Sequence, residues 1–205
     1  MIHFVEWTLV ALALGVVVVR RRSTAIALVT LQSLLLAVAA LALAPGRTAE
    51  FFVASLALVV KALLVGTLLV WTLRRTREQR PLNEDFSPLW RVAAAVALAI
   101  SASALMPSFG LAQRGSQQAT IALVVIGIAI VATRKATLIQ ALGLLVAENG
   151  VAFAASATAG GIPLVIEVGV LLDVIIVVVV VTAFHERIFD ELGSGDATLL
   201  RGLRD

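Results

Sequence analysis

Cysteine is absent from these 205 residues, so the chain can hold neither a disulfide nor a thiolate-ligated iron–sulfur cluster. Histidine is almost absent. His3 and His185 fall at opposite ends of the apolar region, roughly 30 Å apart if that region crosses a bilayer, so they cannot share a haem or a metal ion. No P-loop, no Gly-rich dinucleotide turn and no HExxH motif occurs, and Gly160-Gly161 reads as turn punctuation between two apolar runs. The sequence therefore predicts a chain without a cofactor, a metal or a catalytic centre of its own. Charge is also scarce. Only 14% of residues are charged against 60% hydrophobic, far from the composition of a water-soluble domain.

What is present is apolar sequence in long runs. Seven spans can be drawn: Ile2–Val19, Thr24–Ala44, Ala49–Leu73, Trp90–Met106, Gln117–Thr133, Ala136–Thr158 and Ile162–Phe184. Most reach the roughly 20 residues that cross a hydrocarbon core at 1.5 Å per residue. The expected fold is an all-α, polytopic bundle of about seven transmembrane helices. The first run is not a secretory signal: Arg20, Arg21 and Arg22 follow it instead of preceding it, and no small-residue cleavage site comes after.

Basic residues give the expected sidedness. With the N-terminus outside, the inner side receives Arg20, Arg21, Arg22, Arg74, Arg75, Arg77, Arg80, Arg91, Arg134, Lys135, Arg187, Arg201 and Arg204, and the outer side only Arg47 and Arg114. The positive-inside rule then places the C-terminus in the cytoplasm of a bacterial or archaeal cell, with the chain in its cytoplasmic (inner) membrane. The high pI follows from this sidedness. No basic helix with interleaved aromatics is present, so a nucleic acid is not an expected partner.

Four ionisable residues interrupt the apolar runs: Lys61, Glu148, Glu167 and Asp173. A charge at the bilayer centre costs about 2.5–3.5 kcal/mol even on lenient insertion scales, so such residues face a protein interior or a water path. Lys61, Glu148 and Asp173 fall near mid-span. Glu167 lies some 9 Å outward of Asp173 and about 120° around the helix. One lysine can neutralise one carboxylate, so a further acid must hold its proton or borrow a cation from another chain. A Lys–Glu pair that merely pins helices is the structural reading of the same residues.

Spacing adds packing and symmetry. Gly143, Ala147, Gly150 and Ala154 form a small-residue stripe that lets another helix approach. Gly169 and Asp173, four apart, share a face of the seventh span. Gln32 and Gln140 are expected to make helix–helix hydrogen bonds. Spans one to three and five to seven share a layout, and Arg21-Arg22-Ser23-Thr24 parallels Arg134-Lys135-Ala136-Thr137. From Arg22 to Lys61 is 39 residues and from Lys135 to Asp173 is 38. Lys61 and Asp173 would thus be equivalent in two parallel repeats joined by the fourth span. The expected division is a three-helix unit over 1–73, a loop and linking helix over 74–116, a second three-helix unit over 117–184 and a cytoplasmic tail over 185–205.

The stretch Gln140-Ala-Leu-Gly-Leu-Leu-Val-Ala-Glu148-Asn149-Gly150, with Pro163-Leu-Val-Ile-Glu167-Val-Gly169-Val-Leu-Leu-Asp173, resembles the hydrogenase-4 component E family. That family is similar in turn to the K subunit of respiratory complex I and the C subunit of Mrp-type antiporters. The tail Phe184-His185-Glu186-Arg187-Ile188-Phe189-Asp190-Glu191-Leu192 also resembles it, and so does Leu199-Leu200-Arg201-Gly202-Leu203. The likeness covers residues 117–205 and is diffuse before them. It implies a non-catalytic membrane subunit of a group-4 [NiFe]-hydrogenase or formate-hydrogenlyase-type assembly, with antiporter-like subunits among its partners. It further implies that Glu148 and Glu167 match the membrane glutamates of a lateral proton path and that Asp173 fits the hydrogenase-4 pattern. Lys61 has no counterpart in a three-span K subunit, so its expected role in setting proton affinity rests on depth and on the repeat. The alternatives are a subunit of an Mrp-like cation/proton antiporter and a non-conducting membrane anchor.

Overall fold

The computed structural model describes residues 2–43, 49–76, 87–107 and 114–157, together with 178, 179, 181–185, 187 and 189. Six helices follow one another: α1 (Ile2–Val18), α2 (Arg22–Leu43), α3 (Ala49–Thr76), α4 (Pro88–Leu105), α5 (Arg114–Thr133) and α6 (Thr137–Ala157). There is no strand among the described residues. Helix is what such a sequence must form in lipid, because no water is there to satisfy an open backbone N–H or C=O. Hydroxyls obey the same constraint. Thr8, Thr67, Thr133 and Ser156 each donate back to the carbonyl four residues earlier.

Five of the helices, α2 to α6, are long and apolar enough to cross a membrane, and α1 is a shorter apolar helix. The chain is accordingly a membrane-embedded helical bundle. Most of the seventh span, with Glu167 and Asp173, lies outside the described residues; of it, 178, 179 and 181–184 are helical. The ends of α3, α4 and α5 lie two or three residues beyond the apolar runs. At α4 the cause is visible: Ser87 caps the helix by accepting from the Trp90 amide at 3.4 Å, and Pro88 occupies the first turn.

α5 packs on α6, α2 on α3, α2 on α6 and α1 on α2 and α5, while α4 lies against α5 and α1. The α5–α6 seam is the tightest. A Cβ added at Gly127 would lie 2.5 Å from both the Ala147 amide nitrogen and the Gly143 carbonyl oxygen. One added at Gly143 would lie 2.8 Å from the Gly127 oxygen, and one at Gly150 would lie 2.8 Å from Leu123. The small-residue stripe read from the sixth span thus seats α5, with Gly127 as its counterpart. At the other extreme, α4 turns Leu89, Trp90, Leu98, Ile100 and Leu105 outward, as suits a peripheral helix facing lipid.

α1 and α5 run parallel and are tied at both ends. Glu6 meets Ser116 near their starts, and Arg134, just past α5, reaches the last carbonyls of α1. Its Nη2 donates to the Val16, Val17 and Val19 oxygens at 3.2, 2.7 and 3.1 Å, satisfying the carbonyls a helix C-terminus leaves open. This arginine-rich end of the bundle also carries Arg20, Arg21, Arg22, Arg74, Arg75, Arg91 and Lys135.

Candidate functional site

Mid-height on α3, Lys61 is 2% exposed; mid-height on α6, Glu148 is 11% exposed. The two depths read from the sequence meet as an ion pair: Lys61 Nζ donates to Glu148 Oε2. Truncating either partner would leave a charge without compensation in a nonpolar interior, which costs about 3–5 kcal/mol where it has been measured for buried pairs.

The residue after Glu148 anchors a second polar group. Asn149 Nδ2 donates to Gln32 Oε1 at 3.1 Å and to Ser33 Oγ at 2.9 Å, and Ser33 Oγ stands 3.2 Å from Asn149 Oδ1. Gln32 Nε2 in turn donates to the Leu9 carbonyl at 2.9 Å. All three side chains are buried. The chain of bonds therefore runs from α1 through α2 to α6 at the level of the ion pair, with each amide held at both its oxygen and its nitrogen. Gln32 makes the interhelical bond its position predicts. Gln140 does not: its Nε2 donates at 2.7 Å to the Arg134 carbonyl, closing the α5–α6 turn.

A small cavity of about 10 Å³ adjoins Lys61, lined by Val29, Thr30 and Ser33 of α2, Val65 and Gly66 of α3, and Leu145 of α6 among others. That is room for about one water molecule. It lies on the arginine-rich side of the pair, since α3 runs from Lys61 toward Leu69 in that direction and α6 arrives from it through Leu142. The pair thus has a polar network beside it and a water-sized space on one side.

One further buried acid was not singled out by sequence. Glu6 is 1% exposed; its Oε1 accepts from Ser116 Oγ at 2.6 Å and its Oε2 lies 2.9 Å from His3 Nδ1. Gly115 makes the approach possible, because a Cβ there would lie 2.9 Å from Glu6 Oε2. The available signal was an acid inside the first apolar run with a histidine three residues before it. His185, at the opposite end, is fully buried with its Nδ1 2.9 Å from Thr137 Oγ1, so the two histidines are held apart as their sequence positions imply. No group of three or more His, Asp or Glu side chains that could hold a metal ion occurs among the described residues.

These features define a class: a membrane-embedded helix bundle with an ion pair and a hydrogen-bonded polar network buried at mid-depth. Within that class the chain belongs to the family of the uncharacterised protein Rv0085 of Mycobacterium tuberculosis, to which it is 30% identical over 153 residues covering 69% of each protein. No family model matches the sequence, and no solved structure matches it.

Proposed function

We propose that the chain is a membrane subunit of a complex I-like, group-4 hydrogenase or formate-hydrogenlyase-type assembly, in which it carries part of a lateral proton path. Glu148 and Glu167 exchange protons through bundle waters, Asp173 continues the path or pairs with a partner's lysine, and Lys61 holds Glu148 as its counter-ion. Electron transfer or another drive comes from neighbouring subunits. The observation that carries this reading is the Lys61–Glu148 pair itself, buried at mid-depth beside a space for one water. A carboxylate held by a lysine across a helix boundary can accept a proton and release its partner, which an amide network cannot do. The chain would sit in the cytoplasmic membrane with its N-terminus outside.

The test is proton uptake into native membrane vesicles driven by the assembly's own electron donor, with subunit content checked by blot. Glu148→Gln keeps shape and hydrogen bonding but cannot titrate, and is expected to abolish coupling; Glu148→Asp keeps part of it. The same order is expected at Glu167, while Glu84, in the sequence between the third and fourth apolar runs, should tolerate neutralisation. Unchanged pumping by Glu148→Gln in the intact assembly would replace the relay with a non-conducting anchor. Sodium-dependent exchange without any redox requirement would assign the chain to an Mrp-like antiporter instead.

A further inference from the structure

A groove of about 610 Å³ opens between α4 and α5 at the arginine-rich end and carries a chemistry the proton path does not use. Its walls are apolar: Ala94, Ala95 and Leu98 of α4, and Val125, Ile128 and Ala129 of α5. Its mouth is not. Arg91 and Arg134 both line it and both are buried, at 6% and 4% exposure, and Arg20 stands near enough to Arg91 for the two charges to repel. Trp90, 71% exposed, flanks the same mouth.

We infer that this groove is a binding site for an anionic phospholipid, with the headgroup phosphate at Arg91 and Arg134 and an acyl chain along the α4–α5 wall. The dimensions agree with this. From Arg134 to Val125 is nine residues of helix, about 13 Å, close to the roughly 15 Å depth of one leaflet's hydrocarbon. The charges agree as well. Two arginines lining the mouth of a nonpolar slot give it a positive potential that favours an anionic headgroup over a neutral one. Arginine's planar fork suits a phosphate diester, and an exposed tryptophan beside it sits where indole rings favour the interfacial level. Neutral and zwitterionic lipids offer the same acyl chain without net negative charge, so the site should discriminate by headgroup.

The test uses the full-length chain purified in mild detergent, with native mass spectrometry for retained lipid and thermal unfolding for stabilisation. Phosphatidylglycerol is expected to stay bound at one molecule per chain and to raise the unfolding midpoint. Phosphatidylcholine and inorganic phosphate are expected to do neither. Arg91→Gln should lower phosphatidylglycerol retention about fivefold, the effect of one basic residue at an anionic headgroup. Arg75→Gln, on the outer face of α3 over Trp71, should leave it unchanged. Equal retention of the two lipids, stabilisation by inorganic phosphate alone, or wild-type retention by Arg91→Gln would overturn the proposal. Should Arg91→Gln not fold, Ala94→Phe fills the groove with both charges intact; retention at the wild-type level by that variant would overturn it equally.

Discussion

α6 meets its neighbours in two unlike ways. Toward α5 it offers Gly143, Ala147 and Gly150, and the backbones approach until there is no room for another carbon. Toward α2 and α3 it offers Glu148 and Asn149, and contact is made by side chains reaching across, with a water-sized space left beside them. The first kind of contact draws on dispersion between close surfaces, which lipid cannot match; it is intolerant of added volume and indifferent to charge. The second draws on satisfied polar groups; it tolerates volume but not the loss of a partner. A bundle that needs a fixed frame and a rearrangeable interior can place them on two faces of one helix, and α6 does so.

The largest loss is expected at the tight face of α6. Gly127→Ala puts a methyl against backbone atoms that cannot rotate away and is expected to destabilise by about 3 kcal/mol, with loss of monodisperse protein on size exclusion. Wild-type behaviour there would mean that the seam is not the frame. Next comes the ion pair. Lys61→Met should cost about 3 kcal/mol in unfolding of the purified chain, and adding Glu148→Met should recover most of it, because the doubly apolar site strands no charge. If the double variant is no better than the single one, the residues do not act as a pair. Removing the Asn149 amide as Asn149→Ala takes the partner from Gln32 Oε1 and from Ser33 Oγ and is expected to cost about 1 kcal/mol, the order found for interhelical hydrogen bonds in lipid. The smallest effect belongs to the looser side. A Cβ at Gly66 would lie 2.7 Å from Thr30 Oγ1, but a hydroxyl at the end of a side chain beside a cavity can turn, so Gly66→Ala should cost under about 1 kcal/mol. A larger loss at Gly66 than at Gly127 would reverse the assignment of the two faces.

The helices were legible in the sequence because span length is a one-dimensional property: an apolar run either covers the hydrocarbon or it does not. The partner of Lys61 was legible only as far as depth allows: Glu148 and Asp173 both fall at its level, and it is the packing of the helices that brings Glu148 to it. Depth does not say which neighbour is within reach, so the Asn149–Gln32–Ser33 network, although made of visible polar residues, was not assembled beforehand. Glu6 escaped because an acid one turn into a helix resembles an interfacial residue, and only the position of α5, with Gly115 leaving room, shows it buried. Arg91 was legible as a topological charge, whereas its burial follows from how α4 lies against α1 and α5. Gln140 was assigned to a neighbouring helix because a turn carbonyl six residues away is invisible to a helical periodicity. The proposed equivalence of Lys61 with Asp173 and the roles of Glu167 and Asp173 fall outside the described residues.

The separation of Lys61 from Glu148 along the chain has a meaning for how the protein is made. Glu148 follows Lys61 by 87 positions along the chain. At about 5–20 residues per second, α3 waits roughly 4–17 seconds after emerging from the ribosome before its counter-ion exists. During that interval the lysine must be carried by a helix with no acid to meet it. α3 is suited to the wait: its Ser55–Arg75 stretch has the highest mean hydropathy of the five membrane-length helices despite containing Lys61, and Trp71, Arg74 and Arg75 sit at its end as interfacial anchors. The high hydropathy of α3 thus suits it to biogenesis, holding an orphan charge in place until the helix that completes it is synthesised.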